Sequence, residues 1–301
     1  MATNGSDIHS SSPTPPPSPD TRVVNYPPNS NPILFTNFSV LYESPDRPDQ
    51  VCKVPCPWPE FECAHDVERR IYQRLEEHPN LVKVIEMDQY GIWLERAQYG
   101  CLRQYYMEGG EATLQERLQW CEDVASVLDY GHGKNVRHAD LSGRNLLVNA
   151  DKKILLCDFS GSSIDDQAAT IMAEDGYRHP DRDEYTAPTI RCEIHTLGST
   201  IYEIITGKEP HHGLEKEAIG KLLEQGQYLN ASKVPLGDIV RRCWEGDFNS
   251  AAEVVGEIAE CKLIRSPHGP SGSTRSFAGG WTNRQGHNSK VAPPYGVLRS
   301  E

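Results

Sequence analysis

Apolar and polar positions change rhythm three times along the chain, near residues 60, 80 and 112. "PILFTNFSVLY" and "QVCKVP" are short, apolar or alternating, and bounded by Pro, Asn and Asp, a pattern that predicts strands. "EFECAHDVERRIYQRLEEH" then places Val67, Ile71 and Leu75 at a spacing of four, on one face of a helix. "LVKVIEM" and "GIWLERA" return to strand rhythm. Residues 31–99 therefore read as a small sheet carrying one helix.

Behind this sheet the helical period dominates. Leu114, Leu118, Cys121, Ala125 and Leu128 form one apolar face, which the glycines of "YGHGK" are expected to close. "NLLVN" and "KILLCDF" predict two short strands joined as a hairpin. Further helices are predicted over "IRCEIHTLGSTIYEIITGK", where Ile194, Leu197, Ile201 and Ile205 align, over "EKEAIGKLLEQG", and over "SAAEVVGEIAECKLI", where Val254, Val255 and Ile258 make a core stripe. The expected fold class is α+β with two lobes. Residues 1 to about 30, rich in Ser, Pro, Thr and Asn, and 266–301, rich in Gly, Ser and Pro, read as disordered tails.

Composition narrows the possible partners. With 37% hydrophobic and 24% charged residues in 301, the chain is ordinary for a globular protein. The balance of 30 basic against 43 acidic residues, a net charge of -13, opposes a phosphate backbone, so no nucleic-acid partner is expected. No stretch approaches the roughly 18 consecutive apolar residues that span a bilayer, and "MATNGSDIHSSSPTPPPSP" has no apolar core, so no membrane association and an intracellular setting, cytoplasmic or nuclear, are expected. Cys52, Cys56, Cys63, Cys101, Cys121, Cys157, Cys192, Cys243 and Cys261 never fall as C-x-x-C and read as reduced, structural thiols.

The chemistry concentrates in "RHADLSGRNLLVNADKKILLCDFSGS", residues 137–162. If its two strands form a hairpin, Asp140 and Asn145 lie on the loop entering it and Asp158 on the loop leaving it, so three oxygen-bearing side chains converge. Phosphoryl transfer needs such a set, because Mg²⁺ must be held against phosphate oxygens while a hydroxyl is oriented for in-line attack. Arg144 is placed to neutralise charge on the migrating phosphate.

The order H-x-D-x-x-x-x-N followed by D-F within about twenty residues resembles the protein kinase superfamily, and the likeness runs from about residue 33 to 265. It resembles most a group of fungal serine/threonine kinase-like proteins that read H-G-D-[LI]-S…N, D-F-[AS]-G-S-S-I-D and L-G-S-T-I-Y-E-I, matched here by "HADLSGRN", "DFSGSSID" and "LGSTIYEI". The resemblance implies a bilobal kinase-like fold over 31–265, with a small β-rich N-lobe (about 31–94) and a larger helical C-lobe (about 98–265). It also implies ATP and Mg²⁺ as cofactors, a protein Ser/Thr hydroxyl as acceptor, and a monomer.

By motif, Lys53 in "VCKV" resembles the strand lysine that binds the α- and β-phosphates, and Glu68 its helix partner. Leu94 and the residues after it resemble the segment joining the lobes, with backbone groups of Glu95 and Ala97 at adenine. Asp140 resembles the catalytic base, Arg144 its neighbour in the loop, and Asn145 and Asp158 the Mg²⁺ ligands. "GYRHPD" resembles the end of the activation segment, and "CEIHTLGSTIYEIITGKEP" the central helix of the large lobe.

Several positions depart from the family pattern. "NYPPNSNPILFTNFSVLYE" lacks the glycine-rich loop over the phosphates. Ala139 replaces an arginine that reads activation-segment phosphate, Ser160 stands where glycine follows Asp158 and Phe159, and Ser142 replaces a lysine. Arg144 is more familiar from tyrosine kinases. Glu174 replaces a threonine, Asp181 a glutamate and Glu193 an aspartate, and "CWEGDFNSAAEVV" offers no clear arginine to pair with Asp181. Ser160, Ser162, Ser163, Thr170 and Tyr177 are all possible phosphate acceptors. His138 is expected to pack the loop; His132, His211 and His212 carry no metal-binding spacing.

Two alternatives stand beside an active protein kinase. The missing glycines and altered activation segment suit a pseudokinase scaffold. A small-molecule phosphotransferase shares the H-x-D-x-x-x-x-N…D order, but "GYRHPD" followed by "LGSTIYEIITGKEP" resembles the peptide platform of protein kinases instead.

Overall fold

The computed structural model describes residues 25–265 apart from 57, 166 and 182–186. The expected tails, other than residues 25–30, lie outside the described residues. The front half is a five-stranded antiparallel sheet of β1 (Asn31–Phe35), β2 (Ser39–Ser44), β3 (Arg47–Pro55), β4 (Val84–Met87) and β5 (Ile92–Glu95), in the order β1-β2-β3-β5-β4. Between β3 and β4 runs α1 (Pro59–Leu75), which begins with a proline where no amide partner is needed. Its Val67, Ile71 and Leu75 are buried as the spacing of four predicts. Each such side chain contributes roughly 1.5–3 kcal/mol by leaving water.

The back half is helical around one continuous apolar core. Its elements are α2 (Leu102–Met107), α3 (Leu114–Gly133), α4 (Ile190–Thr206), α5 (Lys216–Glu224), α6 (Gly237–Glu245) and α7 (Ala251–Arg265). Among the described residues between α3 and α4 lie four short strands: β6 (Val136–Arg137), β7 (Leu146–Val148), β8 (Ile154–Leu156) and β9 (Ser163–Ile164). β7 and β8 form the predicted hairpin, in the register Leu146↔Leu156 and Val148↔Ile154, while β6 pairs with β9. Among the described residues no helix is long and apolar enough to cross a membrane.

Local chemistry sets the helix ends. Thr113 and Glu116 form a reciprocal capping box that starts α3, and Gly207, at φ 73°, ends α4 in the left-handed conformation. The glycines of "YGHGK" do not act in this way. Gly131 and Gly133 stay inside α3, and the chain turns instead at Asn135, φ 57°. Leu114 is 40% exposed and stands off the apolar face, because the capping turn holds the first residue of α3 outside the core. Val255 is half-buried at the rim of the stripe. α4 packs tightly on α6 because Gly198 has no side chain: a Cβ there would sit 2.6 Å from Cys243 Cβ.

Candidate active site

The site is assembled by β3, α1 and the loops flanking the β7–β8 hairpin. Lys53 is buried near the end of β3, with Nζ 2.8 Å from the Glu68 carboxylate on α1 and 2.6 Å from Asp158 Oδ1. Burial alone would lower the Lys53 pKa, but the charges of Asp158 and Glu68 outweigh it and hold the amine protonated above its ordinary value. Burial likewise pushes Asp158 up, and Lys53 more than reverses this, so Asp158 lies below its ordinary value. The three residues therefore form a charged bridge from sheet to helix to hairpin exit.

Glu68 is fully buried and has further partners. Its Oε1 accepts the Phe159 N–H at 3.1 Å, and its Oε2 accepts the Ser160 hydroxyl at 2.7 Å. The Phe159 ring lies between Tyr72 of α1, edge-on at 5.3 Å, and His138, at 5.0 Å. His138 has the structural placement expected of it. Nδ1 accepts the Asp140 N–H, so Nε2 is the nitrogen that donates to the Cys157 carbonyl, 3.0 Å away.

Asp140 and Asn145 meet on the loop entering the hairpin. The Asn145 amide nitrogen donates to the Asp140 carbonyl at 2.7 Å and to Asp140 Oδ2 at 3.2 Å, which leaves the amide oxygen as the atom available to a cation. Burial raises the Asp140 carboxyl to about 6, against the opposing pull of Arg144. The Arg144 guanidinium lies 3.4 Å from both carboxylate oxygens and donates through Nε to Glu174 at 2.8 Å. A carboxylate and an amide oxygen, Asp158 and Asn145, are hard donors suited to Mg²⁺, which normally takes one or two protein oxygens together with phosphates. Among the described residues no group of three or more His, Cys, Asp or Glu could hold a metal unaided.

Glu95 ends β5 and Ala97 lies two residues beyond it, at the junction of the lobes. Glu95 already donates its N–H to the Lys83 carbonyl at 2.9 Å. Ala97 accepts only a long 3.4 Å contact from Gly100 N–H, so its backbone is the more available of the two. At the opposite edge, where glycines are missing, Thr36 and Ser39 close the β1–β2 turn on itself. Thr36 N–H and Oγ1 both donate to the Ser39 carbonyl at 2.9 Å, and Ser39 N–H donates to Thr36 Oγ1 at 3.1 Å.

A second network lies beneath the loop carrying Asp140, and motif order alone does not mark it. Arg103, from α2, donates Nε to Glu203 of α4 at 2.7 Å, Nη1 to Glu174 at 2.8 Å and Nη2 to the Tyr177 hydroxyl at 3.0 Å. Its backbone N–H donates to the Gly143 carbonyl, while Gly143 N–H donates to Glu203 Oε2 at 2.7 Å. Glycine at 143 leaves room for this carboxylate, since a Cβ there would lie 2.4 Å from Glu203 Oε1 and displace it. Burial would lower the Arg103 pKa, but Glu203 and Glu174 hold it above the usual value. Burial would raise Glu174, but Arg103 and then Arg144 hold it below. The legible signal was a charged residue, Glu203, inside the otherwise apolar "TIYEIIT".

Comparison with protein families matches residues 62–255 to the family described as protein tyrosine and serine/threonine kinase. That match covers more than half the chain, and the chain belongs to this family. Among similar proteins, a "probable serine/threonine-protein kinase" of Dictyostelium discoideum is 28% identical over 173 residues, 53% of this chain and 20% of that protein. A serine/threonine/tyrosine-protein kinase of Arabidopsis thaliana is 27% identical over 203 residues, 61% of this chain and 52% of that protein. The receptor tyrosine-protein kinase erbB-2 of Rattus norvegicus is 28% identical over 183 residues, 56% of this chain and 14% of the receptor. The chain thus spans about half or less of the length of these relatives.

Proposed function

We propose that the protein is an ATP- and Mg²⁺-dependent protein kinase that phosphorylates a protein hydroxyl, of serine/threonine type and akin to the fungal group whose motifs it shares. The observation that carries this reading is the Lys53 bridge, 2.8 Å to Glu68 and 2.6 Å to Asp158, standing beside the Asp140–Asn145 pair. Nucleotide and cation, when bound, supply the phosphoryl group and the charge that screens its oxygens. Lys53, held by Glu68, would bind the α- and β-phosphates, and Asp158 and Asn145 would hold the cation. Asp140 would orient the acceptor hydroxyl and take its proton, while Arg144 would offset charge on the transferring group. Backbone groups of Glu95 and Ala97 would receive adenine.

The same reading takes residues 31–265 as the working domain of an intracellular monomer that meets a protein substrate and neither nucleic acid nor membrane. A scaffold function has one observation in its favour, the self-closed Thr36–Ser39 turn, which offers phosphates few amides. The two part in an assay of ADP formation and protein labelling from Mg²⁺-ATP, with a basic protein as acceptor and Asp140→Asn as the control. Turnover that disappears in the variant supports the kinase. Equal, background-level signals in both chains overturn it and leave the scaffold.

A further inference from the structure

The serine at position 160 stands where the family motif has glycine, and the backbone shows what became of the freedom that glycine supplies. Left-handed conformations fall on Asp158, φ 64°, and on Gly161, φ 79°, and not on Ser160. Position 160 therefore accepts a side chain without backbone strain. That side chain is 5% exposed, so its hydroxyl must find an internal partner. It finds Glu68 Oε2 at 2.7 Å, while the Ser160 N–H donates to Asp158 Oδ1 at 3.2 Å.

One residue thus holds both carboxylates that flank Lys53. Glu68 Oε1 is occupied by Phe159 N–H and Lys53, whereas Oε2, apart from the lysine, has only the Ser160 hydroxyl. We propose that Ser160 is a positioning residue whose buried hydroxyl fixes the Glu68 carboxylate, and through it Lys53, in the geometry that receives nucleotide phosphates. The proposal rests on the functional reading above, in which Lys53 meets phosphate. It assigns to this hydroxyl part of the work of holding phosphate that the glycine-poor turn at Thr36–Ser39 leaves undone.

The test compares ADP, which carries the two phosphates that Lys53 would bind, with adenosine, which carries none. Binding of each in the presence of Mg²⁺ is measured by calorimetry for wild type, Ser160→Ala, Ser160→Gly and Ser160→Thr, with thermal midpoints recorded alongside. A hydrogen bond to a buried charge predicts that Ser160→Ala and Ser160→Gly lose about tenfold or more in ADP affinity, with adenosine unchanged and Ser160→Thr restored toward wild type. In a Glu68→Gln background, Ser160→Ala should add little further loss. Ser162 provides a control, because it is equally buried but donates to the His138 carbonyl at 2.8 Å, so Ser162→Ala should leave the ratio of ADP to adenosine affinity unchanged.

Equal losses for ADP and adenosine, or no loss in folded Ser160→Ala and Ser160→Gly, overturn the positioning role and leave the kinase reading standing. A wild-type chain that binds ADP no better than adenosine overturns the role of Lys53 and the proposal with it. A wild type that binds ADP selectively but turns over no ATP removes the kinase reading, while the hydroxyl is still judged on binding alone.

Discussion

The Glu193 carboxylate accepts the backbone N–H of Ala139 at 2.7 Å through Oε1, while Oε2 bonds His132 Nε2 at 2.9 Å. Burial would raise the Glu193 pKa, but the bond to His132 and then the Ala139 amide hold it below its ordinary value. The loop ahead of Asp140 is therefore anchored through its main chain, and no side chain is required at position 139. Ala139 nevertheless sits at φ 67°, a conformation costing a residue with a Cβ roughly 1–2 kcal/mol. Ala139→Gly should stabilise the protein by about 1 kcal/mol without loss of phosphotransfer, as read by chemical denaturation beside the activity assay. Glu193→Ala should destabilise by about 3 kcal/mol or more, because a buried amide and a buried histidine lose their partner together.

The Asp140 carboxyl is raised by burial to about 6, so under the kinase function proposed above turnover should depend on pH. A base must be ionised, so kcat should climb as pH rises through about 6 and level off above 7. Stability moves the opposite way. With the folded value above the unfolded one, the contribution of Asp140 is fully present below its ordinary value of 3.8 and is lost as pH rises through about 6. Asp140→Asn should therefore abolish turnover yet raise stability at pH 7.5 by on the order of 1–3 kcal/mol. A variant less stable than wild type at that pH would contradict the burial account.

Arg103 joins α2, α4 and the loop carrying Glu174. Arg103→Ala leaves Glu203 buried without its counter-charge and should cost about 3–5 kcal/mol in denaturant unfolding. Pairing it with Glu203→Gln should recover part of that loss, since the uncompensated charge is gone. Arg103→Lys should fall between, because an ammonium cannot reach Glu203, Glu174 and Tyr177 as a planar guanidinium does.

Burial sorts the five candidate phosphate acceptors around the activation segment. Ser160, Ser162, Ser163 and Tyr177 are buried, and Tyr177 is also bound to Arg103 and Glu203, whereas Thr170 is exposed. Incubation with Mg²⁺-ATP followed by peptide mass spectrometry should find phosphate on Thr170 and on none of the other four. Thr170→Ala should then remove that label.

The elements legible in the sequence are those long enough to repeat a period. α1, α4 and α7 each run 15 residues or more and display several turns of one face. The β7–β8 hairpin was fixed by two apolar runs and a polar turn. α2, with six residues, and β6 and β9, with two each, cannot express a period at all. α6, with Ile239, Val240, Cys243 and Trp244 on one buried side, starts after Leu236 in the left-handed conformation with no capping side chain, so no start signal marks it in the sequence. The candidate site divides in the same way. Lys53, Glu68, Asp140, Asn145 and Asp158 follow from motif order, whereas Arg103, Gly143 and Glu203 lie far apart in sequence and are joined only by packing. Ser160 was visible as a departure, but its bond to Glu68 depends on how α1 lies against the hairpin exit.

The β1–β2 turn uses two of its own four amide N–H groups, those of Thr36 and Ser39, to close upon itself. Under the proposed function, a nucleotide would meet on that side a turn that has already committed half of its amides to itself. Its residence time would then be set by Lys53, the cation and the adenine rim. Nucleotide would exchange quickly, and slow release would not be what limits the site.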